Sequence, residues 1–235
     1  MDAQQQNEAK KAAAIAAAKI VESGMLVGLG TGTTATYLVA ELGRRVAQEN
    51  LRIEALPTSE KTAEQARALK IPLVTFAERS DLDLDIDGAD EVLAASLYLV
   101  KGHGGALLRE KIVAAASKRM FVIVDETKIV SQLGTTMPVP VEVVPFGWES
   151  TERKLVKLGA KPVLRKGADG KAYLTDGGHY ILDCDFGAIA DPKELAHHLD
   201  HVVGAVEHGL FLKYASKVFV GGPGGVRLLE KTEAE

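Results

Sequence analysis

Short apolar runs that end in turns and lead into helical patterns recur along this chain, and this alternation restricts the fold more than any other feature. Met25-Leu-Val-Gly-Leu29 reads as a buried strand, Gly28-Leu-Gly-Thr-Gly-Thr-Thr34 forms its turn, and helical spacing follows from Thr34 to Gln48. The pattern continues with a strand near Ile53–Leu56, a helix over Ser59–Leu69 and strands at Pro72–Thr75 and Leu82–Asp87. A strand at Leu97–Val100, a helix from Gly105 to about Ser117 and an apolar strand at Met120–Val124 extend it. A first helix, Glu8 to about Glu22, is stopped by Gly24. Strands and helices in this order predict an α/β fold, with a mostly parallel, Rossmann-like sheet covered by helices on both faces.

The texture changes near Val130. Pro138, Pro140 and Pro145 bracket a half-exposed strand, and a helix is expected over about Trp148–Leu158. Strands at Pro162–Arg165 and Tyr180–Asp185 flank the turn sequences Gly167-Ala-Asp-Gly170 and Asp176-Gly-Gly178, and a helix runs from Asp191-Pro192 to about Val202. That order predicts a small α+β, ferredoxin-like unit. Lys217–Val220, running into Gly221-Gly-Pro-Gly-Gly225, returns to the parallel pattern. The expected organisation is therefore a Rossmann-like catalytic domain from residues 1–130 and 205–235, with residues 131–204 inserted as a lid domain.

The turn at Gly28–Thr34 follows a strand and opens a helix, a context in which backbone amides and the helix dipole point at a bound anion. Thr31, Gly32, Thr33 and Thr34 make up its tip, and the three hydroxyls add donors. Two familiar phosphate motifs do not match. The dinucleotide fingerprint requires glycine where Thr33 stands, and the P-loop requires a lysine that is missing here. The competing structural role for these threonines is to cap the helix.

The second constellation is acidic and basic together. Leu82-Asp-Leu-Asp-Ile86 alternates, which places Asp87 at the C-terminal end of a strand, where open α/β sheets bind ligands. Gly88 and Ala89 form a turn that brings Asp90 beside Asp87. Lys101 opens the loop Gly102-His103-Gly104-Gly105, and Glu110 lies about one turn into the next helix. Adjacent carboxylates in a cleft push their pKa values apart, which suits separate acid and base roles. With a phosphate cradle nearby, the set points to proton transfer on a small phosphorylated molecule.

Composition excludes several classes. The 28 basic and 32 acidic residues leave a formal charge of −4, so the basic face of a nucleic-acid-binding protein is not expected. The single cysteine, Cys184, permits no internal disulfide and sits in an apolar strand pattern. The alanine-rich start lacks the order of a signal peptide, and no run reaches the ~20 apolar residues of a membrane span. A cytoplasmic protein is expected. The one metal-like spacing, His197 with His201 on a helix face, has no matching ligand set, so no metal is expected.

Four ordered motifs together resemble ribose-5-phosphate isomerase of the A type. They are Gly28-Leu-Gly-Thr-Gly-Thr-Thr-Ala35, Asp87-Gly-Ala-Asp-Glu91, Lys101-Gly-His-Gly-Gly-Ala106 and Arg109-Glu-Lys111. Pro140-Val-Glu-Val-Val-Pro145, Leu155-Val-Lys-Leu-Gly159 and Gly222-Pro-Gly-Gly-Val226 extend the likeness over nearly the whole chain. His103 departs from the pattern, since many relatives have glycine there. The resemblance implies reversible conversion of D-ribose 5-phosphate to D-ribulose 5-phosphate with no metal or organic cofactor. It implies that Thr31 to Thr34 cradle the phosphate, with Lys128 and Lys10 as further contacts. Asp87-Gly88-Ala89-Asp90 and Lys101-Gly102-His103-Gly104 would contact the sugar, and Glu110 would accept the proton; Asp87, Asp90 and Lys101 are the candidates for the proton movement that opens the ring. It also implies a homodimer or homotetramer. The rival readings are a metal-dependent hydride-shift isomerase, a non-catalytic sugar-phosphate sensor, and a sugar-phosphate deaminase or acyl-transfer enzyme of related architecture.

Overall fold

Five parallel strands and one antiparallel edge strand form the main sheet of the structure, a computed structural model that describes residues 1–230. In chain order the first half comprises α1 (Ala3–Ala18), β1 (Leu26–Leu29), α2 (Thr33–Gln48), β2 (Glu54–Pro57), α3 (Glu60–Ala68) and β3 (Leu84–Asp87). β4 (Glu91–Leu93), β5 (Tyr98–Val100), α4 (Leu107–Ala115), β6 (Met120–Asp125) and β7 (Ile129–Val130) follow. Next come β8 (Val139–Val143), α5 (Trp148–Lys157), β9 (Lys161–Leu164), β10 (Tyr180–Asp185) and α6 (Pro192–Asp200). The chain closes with β11 (Ala205–His208), β12 (Leu210–Phe211), β13 (Ala215–Gly222) and β14 (Gly225–Glu230).

The strand order β14-β13-β6-β3-β1-β2 reverses direction at β1, because β2 lies on one side of it and β3 on the other. Such a switch point opens a crevice at the carboxyl ends of the two strands. The Gly30–Thr34 turn leaves β1 there and Asp87 ends β3 there, so topology alone brings the two sequence motifs together.

Alternation along the strands divides the core. Val27, Leu29, Leu84 and Ile86 pack with Ala13, Ala14 and Ala17 of α1 and Leu38 and Leu42 of α2. On the opposite face Leu26, Leu56 and Leu82 meet Val113 of α4. Asp85 and Asp87 point to that second face, and the neighbouring strand makes room for them. A Cβ added to Gly28 would stand 2.6 Å from Asp85 Oδ1, and one on Gly30 would stand 2.0 Å from Asp87 Oδ1. The Gly-x-Gly spacing of β1 thus mirrors the Asp-x-Asp spacing of β3.

Several expectations need correction. α1 spans Ala3–Ala18 rather than Glu8–Glu22, because Asp2 and Gln5 form a reciprocal cap that starts it earlier. Pro72–Thr75 is no strand, since it contributes only one bridge, Leu73 to Ala55, beside the edge strand β2. Lys217–Val220 does lie in the parallel strand β13, and the glycine-rich turn after it leads into β14, which pairs antiparallel with β13. The short strands β4, β7 and β12 join β5 in a separate small sheet. A third sheet, β11-β8-β10-β9, has its own core of Val139, Val141, Leu155, Leu182 and Leu199. Its strand β11 (Ala205–His208) pairs antiparallel with β8. Cys184 is buried in that core and burial pushes its thiol well above the ordinary range, as suits a packing residue. No helix among the described residues is long and apolar enough to cross a membrane.

The glycine requirement is testable. Gly30→Ala would press on the backbone as well as the side chain of Asp87, with Cβ 2.6 Å from its Cα. Overpacking of this kind costs about 1–3 kcal/mol. Urea unfolding should register that loss.

Candidate active site

The turn after β1 is built to leave donors free. Gly32 is the N-cap of α2 with φ 109°, a conformation that favours glycine, and no side chain caps the helix. The threonines therefore do not cap it, and no acidic residue occupies its first turn. Thr31 is engaged elsewhere. Its amide donates to Asp87 Oδ1 at 3.0 Å, and its hydroxyl lies 2.7 Å from Thr58 Oγ1 and 2.8 Å from Ser59 Oγ. Those last two residues follow β2, and Thr62 of α3 closes the cluster by donating to Gly30 O. This hydroxyl cluster pins the base of the turn. Binding capacity is left to the Thr33 and Thr34 hydroxyls and the first amides of α2.

Two lysines flank that turn. Gln6 of α1 reaches the Asp125 carboxylate at 3.2 Å, which holds the helix over the sheet edge. Lys10, one turn further along α1, and Lys128, just after β6, line the same cleft as Thr31, Gly32, Thr33 and Thr34.

The other end of the cleft is lined by Gly88, Ala89, Asp90, Lys101, Gly102, Gly104 and Glu110. Lys101 Nζ donates to Asp87 Oδ2 at 2.9 Å and to Gly88 O at 2.7 Å, and lies 3.1 Å from Glu110 Oε2. All three charged side chains are at most 2% exposed. Burial disfavours the charge on Lys101, but Asp87 and Glu110 outweigh it and hold the ammonium above the usual lysine range. Burial pushes Glu110 up to about 8, with Asp87 adding to the rise and Lys101 opposing it. Burial also raises Asp87, against Lys101 and the amides of Gly88 and Thr31. One cation thus serves a buried group of carboxyls, the arrangement that sets a base near neutral pH.

Two expected residues stand off the cleft wall. Asp87 reaches it through Lys101 and Gly88. The His103 ring turns away, with Nε2 3.0 Å from Pro138 O, while its amide donates to Asp90 Oδ2 at 3.0 Å.

Further groups complete the surroundings. Arg165, paired with Asp183, donates to the carbonyls of Gly102 at 3.0 Å and His103 at 3.2 Å, so the small α+β unit grips the glycine-rich loop. Tyr173 occupies the space beside Gly105, where a Cβ would stand 2.3 Å from its hydroxyl. Lys111 ties α4 to β11 through Glu207 at 2.6 Å and His208 O at 2.7 Å. Asp85 is buried beneath the cleft. Of these, Lys111 stands in the Arg109-Glu-Lys111 motif and Asp85 alternates with Asp87, whereas Arg165 and Tyr173 had no sequence signal.

A larger cavity, ≈ 520 Å³, lies between α3 and α4, but Leu56, Leu73, Phe76 and Ile112 make it mainly apolar. Arg109 on its wall is already paired with Glu60 at 2.9 Å. The acid/base groups are in the smaller cleft.

Donor chemistry disfavours a metal ion at the candidate ligand groups of the described residues. Asp200, Glu207 and His208 form the one cluster of three possible ligands among the described residues. His208 Nδ1 accepts from the Leu210 amide, which leaves Nε2 protonated and facing Asp200 at 3.1 Å. Burial and Lys111 hold this imidazole down at about 3, and the Lys111 ammonium occupies Glu207. The His197 and His201 rings lie 4.5 Å apart, tilted at 57°, on an exposed helix face, where His201 Nδ1 bonds the His197 carbonyl.

Fold and cleft define a doubly wound α/β protein with a buried carboxylate–lysine centre facing the uncapped N-terminus of α2. The family model for ribose 5-phosphate isomerase A (phosphoriboisomerase A) matches residues 54–225. The ribose-5-phosphate isomerase A of Synechococcus sp. (strain JA-3-3Ab) is 54% identical over 226 residues, covering 96% of this chain and 98% of that protein. The structure of ribose 5-phosphate isomerase A from Methanocaldococcus jannaschii matches with a TM-score of 0.91 at 41% identity, covering 95% of this chain and 99% of the other. A D-ribose-5-phosphate isomerase in complex with phospho-erythronic acid matches with a TM-score of 0.93 at 37% identity, covering 98% and 100%. The chain belongs to the ribose 5-phosphate isomerase A family.

The raised pKa of Glu110 makes a stability prediction. The folded carboxyl keeps its proton to about pH 8, whereas the ordinary value is 4.5. Between those values the folded state binds more protons, so this group lowers stability as pH rises. Glu110→Gln lacks the effect. Its unfolding free energy relative to the parent should climb from about pH 4.5 to about 8 and then level off.

Proposed function

We propose that this protein interconverts D-ribose 5-phosphate and D-ribulose 5-phosphate by proton transfer through a cis-enediolate. Family membership supports the reaction. The observation that carries the site assignment is one cleft with Glu110 and Lys101 at one end and the open N-terminus of α2 at the other. The phosphorylated sugar acid held by the related isomerase fits a site of this polarity.

In this reading the Thr33 and Thr34 donors, Lys10 and Lys128 hold the phosphate, while Asp90 and the Gly102–Gly104 loop hold the sugar. Lys101, with Asp87 behind it, opens the furanose. The ammonium gives one proton to the ring oxygen, the C1–O4 bond breaks to a carbonyl, and the amine takes the proton of the anomeric hydroxyl, so Lys101 is again an ammonium held by Asp87. Ionised Glu110 then removes the C2 proton, C1 and C2 share the new double bond, and Lys101 stabilises the charge growing on O1. The proton of the C2 hydroxyl passes to O1, Glu110 returns its proton to C1, and the ketose is complete. Phosphate anchoring keeps these carbons in register with the base.

The small α+β unit is read as a lid on the catalytic domain, which its grip on the loop after Lys101 supports. Assembly as a homodimer or homotetramer and a cytoplasmic location follow from the same family reading, and light scattering decides the first.

Steady-state kinetics with ribose 5-phosphate tests the assignment. Glu110→Gln should lose ~10²–10⁴ in kcat, the range for a positioned base, with KM little changed. Thr33→Val should mainly raise KM, because its hydroxyl acts on the phosphate in ground state and transition state alike. Activity should survive exhaustive EDTA treatment; its loss, restored by a divalent ion, would favour a metal-assisted hydride shift.

A further inference from the structure

Asp85 has no part in the chemistry just described, yet it is fully buried and neither carboxyl oxygen has a hydrogen-bond partner. It lies mid-strand in β3, opposite Gly28 of β1 and Met120 of β6 in register. A leucine or valine would satisfy the packing at such a position at no desolvation cost. β1 instead omits a side chain at Gly28, the position beside this carboxyl, where a Cβ would also stand 2.6 Å from Val113 of α4.

The charged groups that act on Asp85 are Asp87 from its own strand, Lys101 from the loop after β5 and Glu110 from α4. β1 and β6 face it with Gly28 and Met120, and the Asp85 amide donates to Arg119 O at 2.9 Å. Lys101 has donors committed to Asp87 Oδ2 and Gly88 O and lies against Glu110, so no bond from it reaches Asp85. Three buried carboxyls therefore share one ammonium. If all three were ionised, the cluster would carry two uncompensated negative charges, and the enediolate would add another.

We propose that Asp85 is a positioning residue for the isomerisation, a carboxyl that stays protonated while Glu110 works and whose ionisation sets the alkaline limit of activity. Its proton lets Glu110 ionise beside Lys101 without a second uncompensated charge. When that proton leaves at high pH, the new charge opposes both the ionised base and the charge developing on O1. Burial and the neighbouring Asp87 raise Asp85 well above the ordinary carboxyl range, which agrees with the geometry. The role rests on the isomerase reading.

The test is kcat/KM for ribose 5-phosphate against pH in the whole enzyme and in Asp85→Asn, which is uncharged and nearly isosteric. The acid limb should coincide in the two proteins, and the alkaline limb should move up by at least one pH unit in the variant. Coincident alkaline limbs would overturn the proposal. So would an acid limb displaced downward by a unit or more, since that would mean Asp85 is already ionised and repelling Glu110. Should Asp85→Asn fail to fold, infrared spectra of the parent with ¹³C-labelled aspartate decide: a protonated carboxyl band at neutral pH that fades with the alkaline limb supports the role, and its absence refutes it. Failure of the parent to turn over ribose 5-phosphate would instead refute the isomerase reading.

Discussion

A single buried ammonium organises this molecule. Lys101 lies between Asp87 and Glu110 with almost no access to water, and its charge is tenable only because carboxylates and a carbonyl surround it. Buried pairs of this kind tolerate no missing partner, since an uncompensated charge in the interior costs several kcal/mol. The neighbouring elements accordingly supply the geometry. β3 delivers Asp87, α4 delivers Glu110, and Phe211 of β12 lies under both Lys101 and Lys111, 5.3 and 4.9 Å from their ammonium groups. Glycines on β1 leave space for the carboxyls.

The cleft is also divided by charge. At one end the amides of α2, Lys10 and Lys128 favour an anion and carry no acid/base chemistry. At the other, desolvation raises Glu110 into the range where a carboxyl can both take and return a proton. The basic end is thereby kept apart from the buried carboxyls. The strand-order reversal at β1 sets these ends side by side.

Much of this was legible in the residues. The strand–helix alternation predicts the parallel sheet, and the Gly28–Thr34 turn, the Asp87–Asp90 turn and the Lys101 loop carry the family resemblance on their own. Other features had no local signal. Arg165 and Tyr173 lie far along the chain in a different sheet, so their grip on Gly102–Gly105 depends on how that sheet docks. Thr31 reads as a phosphate donor, but Thr58 and Ser59 claim its hydroxyl because β2 pairs beside β1. The short strands β4, β7 and β12 were missed, since two or three residues are too few for a periodic pattern.

By itself the sequence determined which residue types stand at the strand ends, because turn chemistry and apolar periodicity are properties of neighbouring residues. It thereby determined the α/β class and named Asp87, Asp90, Lys101 and Glu110. Only the tertiary structure decided what those residues experience. Burial, shared counter-charge and the upward shift of Asp85 arise from packing β1, β3, the β5 loop and α4 around one point, and electrostatic energies there depend on distance through space and exclusion of water rather than on spacing along the chain.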